Sequence, residues 1–173
     1  MNQFLVIIRG APASGKTTIS KKLRDPSKKI VWLKVDNFKD FFSDDSKPEE
    51  QKFVDNCALS CLENLLDQGF SVVMEKIFYD PFILPLAEQV AQKKGVICKV
   101  FQIKCSLNTL LQRDQTRPGI KEGCRKQLGA ETIKTLHDHL EKTFYPKAIA
   151  LDSENQSIDS CVETIKKEVG LNN

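Results

Sequence analysis

Histidine, tryptophan and tyrosine are scarce in this chain: two, one and two respectively among 173 residues. The two histidines, His137 and His139, stand two positions apart and so fall on different faces of a helix, which argues against a histidine metal pair. Six cysteines include no C-x-x-C pair. That absence speaks against metal or redox use of the thiols and fits a reducing, cytoplasmic setting. Cys57 and Cys61, spaced i, i+4, read as core packing on one helix face. No apolar run approaches the ~20 residues that span a bilayer, and the first one, Phe4-Leu-Val-Ile-Ile8, is too short to be a secretory signal. No membrane partner is expected. Low-complexity linkers and internal repeats are absent as well. A formal net charge of +3 is too slight to argue by itself for nucleic acid. An N/T-K-x-D element that would read guanine is also missing, which disfavours a guanine-nucleotide switch.

One glycine-rich segment is present, and it carries most of the information. The stretch Gly10, Ala11, Pro12, Ala13, Ser14, Gly15, Lys16, Thr17, Thr18 satisfies G-x-x-x-x-G-K-[S/T] directly after the Phe4–Ile8 run. A phosphate cradle needs this order of strand, tight turn and helix, because only then do several backbone N–H groups converge on one anion. The reading is a P-loop. Gly10 and Gly15 let the backbone wrap a phosphate with no Cβ in the way, Lys16 reaches the β and γ phosphates, and the Thr17 hydroxyl is placed to ligate Mg²⁺. ATP and Mg²⁺ are the expected cofactors.

Strand and helix patterns alternate from end to end, which makes this an α/β chain. The periodicity predicts strands at 3–9, 30–35, 70–74, 96–104 and 147–151. Helices are predicted over 14–23, 49–68, 81–94, 107–116, 131–143 and 157–169, with a short one at 37–42 and a possible capping box at Ser46 to Glu49. Pro85 either bends its helix or marks its true start. Nearly continuous apolar strands between helices indicate a parallel sheet covered on both faces. The expected fold is therefore a three-layer α/β/α P-loop domain, with a five-stranded parallel sheet, spanning residues 1–173 as one unit. Its ligands should gather beyond the carboxyl ends of the strands.

Candidates for chemistry follow from that rule. Asp36, closing the second strand, can take a proton from an attacking hydroxyl or help hold the metal; capping the short helix after it is the alternative use. Glu75, directly after the third strand, is a candidate to hold Mg²⁺ through water, or a substrate hydroxyl. Asp152, after the last strand, falls where a loop could pass the adenine. Arg113, Arg117, Lys121, Arg125 and Lys126 stand against Asp114 and Glu122, and Pro118, Gly119 and Gly123 break the segment. This reads as a mobile basic lid over about 117–130, with Arg113 and Arg117 sharing one helical face toward the triphosphate. Phe38, Phe41 and Phe42 fit either core packing or an apolar wall for the acceptor. Tyr79 and Asp80 are further candidates for that pocket.

In this combination the chain resembles the small P-loop phosphotransferases, a group that includes zeta toxins, the kinase domains of polynucleotide kinases, and shikimate and gluconate kinases. Within it the chain is most similar to the chloramphenicol phosphotransferases. The likeness rests on residues 10–17, Val35-Asp36-Asn-Phe38, Val72 to Phe78, Arg113 to Gln127, and Leu136-His137 followed by Tyr145 and Ala148 to Asp152. The resemblance implies an ATP-dependent kinase acting on a small-molecule hydroxyl, with Asp36 as base and Arg117 on the phosphates. Two departures stand out. Pro118-Gly-Ile120-Lys121 replaces the second lid arginine of the antibiotic kinases, and Glu75 followed by Lys76 stands in place of their aspartate. Alternatives from the same group are a polynucleotide 5′-hydroxyl kinase and a sugar-nucleotide kinase. From another class comes a non-catalytic adenine-nucleotide switch, which would need neither Asp36 nor a basic lid.

Overall fold

Seven consecutive buried residues form the first strand, β1 (Phe4–Gly10), and this strand lies at the centre of the sheet. In a computed structural model of the chain, which describes residues 2–42, 48–117 and 126–171, β1 is followed by α1 (Lys16–Leu23), β2 (Ile30–Lys34) and α2 (Pro48–Asp67). Next come β3 (Ser71–Glu75), α3 (Ile83–Lys93), β4 (Ile97–Lys104), α4 (Leu107–Gln115), α5 (Ala130–Lys142), β5 (Ile149–Asp152) and α6 (Ile158–Glu168). The five strands run in the order β2-β3-β1-β4-β5, all parallel. Helices cover both faces, so the expected α/β/α sandwich is what the chain forms.

Strand side chains alternate between the two faces, and the core divides accordingly. Leu5, Ile7, Val72 and Met74 pack with α2 and α3 on one side. Phe4, Val6, Ile8 and Val73 pack with α1 and α6 on the other. Ile30 and Val73 lie on the α1 side, so the same alternation carries Trp32 and Glu75 to that side. Arg9 is fully buried and pins the layers together: Nε donates to the Phe78 carbonyl at 3.1 Å and a terminal nitrogen donates to Gln102 Oε1 at 2.8 Å. No helix among the described residues is long and apolar enough to cross a membrane.

Element boundaries fall within about two residues of the periodicity, and the differences have local causes. The first helix begins at Lys16 rather than Ser14, because Gly15 is left-handed, with φ 95°. Pro85 is the third residue of α3, in the first turn where its missing N–H costs no helical bond, so it marks the start and does not bend the helix. Asp36 lies inside a 3₁₀ segment, Val35–Phe41, that begins before it. Arg117 is not on the helix with Arg113: α4 ends at Gln115, and the Arg117 N–H turns back to the Asp114 carbonyl at 3.2 Å. The Ser46 end of the proposed capping box, and Pro118, Gly119, Lys121, Gly123 and Arg125 of the proposed lid, lie outside the described residues.

Candidate functional site

The carboxyl ends of β1, β2 and β3 are brought level by the register. Lys34 pairs with Glu75, and Ile8 with Glu75 on the other side. Over these ends opens a cleft of about 620 Å³. The P-loop supplies Pro12, Ala13, Gly15, Lys16, Thr17 and Thr18 to its wall; α1 adds Lys21 and Lys22; Lys34, Asp36, Glu75, Ile77, Arg113, Arg117 and Leu128 complete it.

The loop's shape follows from its two glycines and one alanine. A Cβ on Gly10 would stand 2.9 Å from Ser14 Oγ and 3.1 Å from both the Ile103 carbonyl oxygen and Cβ, so only glycine fits between the loop and β4. Ala13 and Gly15 both take positive φ, 64° and 95°, which folds the loop over the start of α1. The helix carries no side-chain cap at Gly15, and the N–H groups of its first turn have no carbonyl one turn upstream to bond. Together with the helix dipole this is the chemistry of an anion cradle. Lys16 Nζ donates to the Ala11 carbonyl at 2.8 Å, arching over the loop.

On the β3 side, Thr17 Oγ1 donates to Glu75 Oε1 at 2.9 Å, and the Trp32 indole Nε1 donates to Glu75 Oε2 at 3.1 Å. Both oxygens of a carboxylate that is only 5 % exposed are thereby aimed. Asp36 is paired with Lys39 Nζ at 3.1 Å, one turn on, and its side chain is 13 % exposed. Thr17, Asp36 and Glu75 offer oxygen donors alone, the ligand type that suits Mg²⁺. Among the described residues no cluster of three or more His, Cys, Asp or Glu is placed to hold a metal by itself.

Across the cleft, Arg113 donates to the Ser153 carbonyl at 2.7 Å and to Ser153 Oγ at 3.2 Å, which seats its guanidinium on the turn after β5. Arg117 Nε lies 3.1 Å from Asp114 Oδ1. Asp114 is itself buried, and its Oδ2 accepts from the backbone N–H groups of Leu128 and Gly129 at 3.0 and 3.1 Å. One carboxylate thus gathers Arg117 and the chain that re-enters at 126–129.

The remaining candidates lie elsewhere. Asp152 is not in the cleft wall. Its Oδ1 accepts from the Glu154 and Asn155 N–H groups and its Oδ2 from the Asn155 side chain, and these bonds, the side-chain one foremost, hold its carboxyl below the usual range. It borders a smaller hollow with Cys105, His137 and Glu141. Phe38 and Phe42 pack against the core, and Phe41 is 75 % exposed, so none of the three walls the cleft. Tyr79 stacks on His139 at 3.6 Å between ring centroids, with His139 Nε2 bonded to the Tyr79 carbonyl oxygen, and is absent from the cleft wall too. Trp32, Lys21 and Lys34 belong to the site and were not among the sequence candidates. A strand-end polar residue two positions before Asp36 is the only signal that pointed toward Lys34; for Trp32 there was none.

A family model described as "AAA domain" matches residues 5–143 of the chain. No curated protein matches it. Among solved structures, the tunicamycin resistance protein of Deinococcus radiodurans superposes with TM-score 0.70 at 17 % identity, over 99 % of this chain and 98 % of that one. A sugar kinase from Janibacter sp. HTCC2649 gives 0.73 at 14 % identity, over 98 % and 95 %. A gluconokinase from Sinorhizobium meliloti 1021 gives 0.65 at 13 %, over 96 % and 91 %. At these identities the likeness is one of fold.

Proposed function

The chain belongs to the AAA domain family, with the match running from residue 5 to 143, and on that premise we propose that it is an ATP-dependent kinase that phosphorylates a hydroxyl of a small molecule. The observation that carries this reading is the gathering of Lys16, Thr17, Asp36, Glu75 and Arg113 on one cleft at the P-loop. A nucleotide switch needs the first two; it has no use for a second carboxylate at the end of the neighbouring strand.

In this mechanism the loop N–H groups and Lys16 hold the triphosphate, and Arg113 adds charge where it develops on the transferred group. Thr17 and Glu75, the latter through water, are the residues that would hold Mg²⁺, with Asp36 of the same cleft as a further oxygen ligand. When bound, the ion supplies positive charge to the phosphate oxygens. Asp36 accepts the proton of the acceptor hydroxyl as that oxygen bonds to the γ-phosphorus. The bond from phosphorus to the β–γ bridging oxygen breaks, and its electron pair leaves with ADP. Arg117 closes on the same phosphates, from the Asp114 anchor. The whole chain acts as one domain, and its described cysteines are all free thiols, which suits a cytoplasmic enzyme.

Fold neighbours described as a sugar kinase and a gluconokinase support a small hydroxyl acceptor. The test is a mass-spectrometric screen for ATP-dependent gain of one phosphate. It would cover hydroxyl-bearing metabolites, chloramphenicol and related antibiotics, sugar nucleotides and a 5′-hydroxyl oligonucleotide. Phosphate gain on a small molecule that disappears in Asp36→Asn supports the proposal. Phosphate gain on the oligonucleotide alone contradicts it, and so does failure of every acceptor with an enzyme that binds ATP.

A further inference from the structure

Two lysines on the cleft wall lie apart from the P-loop. Lys21 is on α1, one turn beyond Thr17, and Lys34 is the last residue of β2, two positions before Asp36. Their ammonium groups lie 6.0 and 5.9 Å from the centre of the same indole ring, that of Trp32. At that range the ring quadrupole attracts both cations. Among the described residues, neither lysine has a carboxylate partner. Their neighbours differ in this respect: Lys22 pairs with Asp159 at 2.6 Å, Lys39 with Asp36, and Lys76 with Asp55 at 2.5 Å. Lys34 even lies in register with Glu75, yet that carboxylate is taken by Trp32 and Thr17.

Lys21 is exposed and Lys34 half-buried, so water screens both, and an anion that enters the cleft meets two cations with no carboxylate competing for them among the described residues. The triphosphate has its own cations in Lys16 and Arg113. Phe38, Phe41 and Phe42 do not wall the cleft, whose apolar lining residues are Pro12, Ala13, Ile77 and Leu128. Lys21 and Lys34 line the same cleft as Asp36, so a compound whose hydroxyl meets Asp36 shares that cleft with both lysines.

Resting on the kinase reading above, we propose that the acceptor is itself an anion: a phosphorylated alcohol whose phosphate is held by Lys21 and Lys34 while its hydroxyl meets Asp36. The product then carries two phosphate groups. Lys21 and Lys34 set specificity, and Trp32 orders them.

Trp32 is the only tryptophan in the chain, so its fluorescence reports on this site alone. The experiment titrates inorganic phosphate, ribose and ribose 5-phosphate into protein saturated with Mg²⁺ and a non-hydrolysable ATP analogue. It is run on the native chain and on Lys21→Gln/Lys34→Gln. Phosphate and ribose 5-phosphate should change the emission and ribose should not. The double variant should weaken ribose 5-phosphate binding by about tenfold or more, as expected for loss of charge-assisted bonds, and leave the affinity for the ATP analogue unchanged. Equal responses to ribose and ribose 5-phosphate would overturn the inference, as would anion binding that survives in the double variant. Loss of ATP-analogue affinity in that variant would reassign the lysines to the triphosphate and overturn it equally. Failure of the native chain to bind the ATP analogue at all would instead defeat the kinase reading on which it stands.

Discussion

Thr17 and Glu75 are joined by a 2.9 Å hydrogen bond that ties the first turn of α1 to the last residue of β3. Trp32 holds the other oxygen of the same carboxylate, so the two groups proposed to serve the metal are aimed before any ion arrives. Trp32→Phe keeps an aromatic ring, a smaller one, and removes the indole N–H donor. It should raise the Mg²⁺ concentration needed for tight binding of a fluorescent ATP analogue several-fold and leave metal-free nucleotide affinity unchanged. An unchanged Mg²⁺ titration would show that Glu75 needs no such support.

A second prediction concerns Asp114. It is 3 % exposed and accepts from two backbone N–H groups while facing Arg117. Asp114→Ala leaves those donors without an acceptor, at a cost of about 1–3 kcal/mol, and frees Arg117 from its anchor. Thermal melting should show the loss of stability. Turnover should fall further than Arg117→Ala alone makes it fall, because the 126–129 segment is displaced as well. Equal turnover in the two single variants would limit Asp114 to its effect on Arg117.

Gly10→Ala is a test of the loop's close approach to β4. The new methyl must push against Ser14 Oγ and the Ile103 backbone at 2.9 and 3.1 Å. Overpacking of this kind costs about 1–3 kcal/mol, and the shift is passed to the phosphate cradle. Both melting temperature and ATP-analogue affinity should drop. A drop in neither would mean that the loop relaxes without consequence.

The sheet, its order of elements and the phosphate loop were legible because each is a local pattern: apolar runs of strand length, helical stripes ended by glycine, and a glycine-lysine-threonine signature between them. The walls of the cleft were legible where a strand end announced them, as at Asp36 and Glu75, or where a basic run did, as at Arg113 and Arg117. Trp32, Lys21 and Lys34 come together from two elements through packing, which no local spacing records. Asp114 reads in the sequence as one charge inside a basic run, and its burial depends on residues 14 and 15 positions away. The Phe38 to Phe42 cluster offered two uses in sequence, and the fold turned it from the cleft because the 3₁₀ segment Val35–Phe41 starts before Asp36.

Acid sensitivity should concentrate at the turn after β5. Glu154 accepts from the Ser106 N–H, Thr109 Oγ1 and Ser106 Oγ, and these bonds, the backbone one first, hold its carboxyl below the ordinary value. Asp152 is lowered likewise. A carboxylate lowered in the folded state contributes stability above its unfolded pKa of about 4 and loses that contribution as pH falls through the folded value. Glu154→Gln should therefore melt lower than the native chain at pH 7 and show a smaller further decline below about pH 4. Parallel pH profiles for the two proteins would count against this assignment.

The most direct measurement is calorimetric titration of a non-hydrolysable ATP analogue with Mg²⁺ into the native chain, Lys16→Ala and Asp36→Asn. The native chain and Asp36→Asn should bind with similar affinity and Lys16→Ala should lose most of it, while Asp36→Asn alone separates binding from phosphoryl transfer. No heat from the native chain, or equal losses in both variants, would contradict a cleft in which the loop holds the nucleotide and Asp36 faces the acceptor.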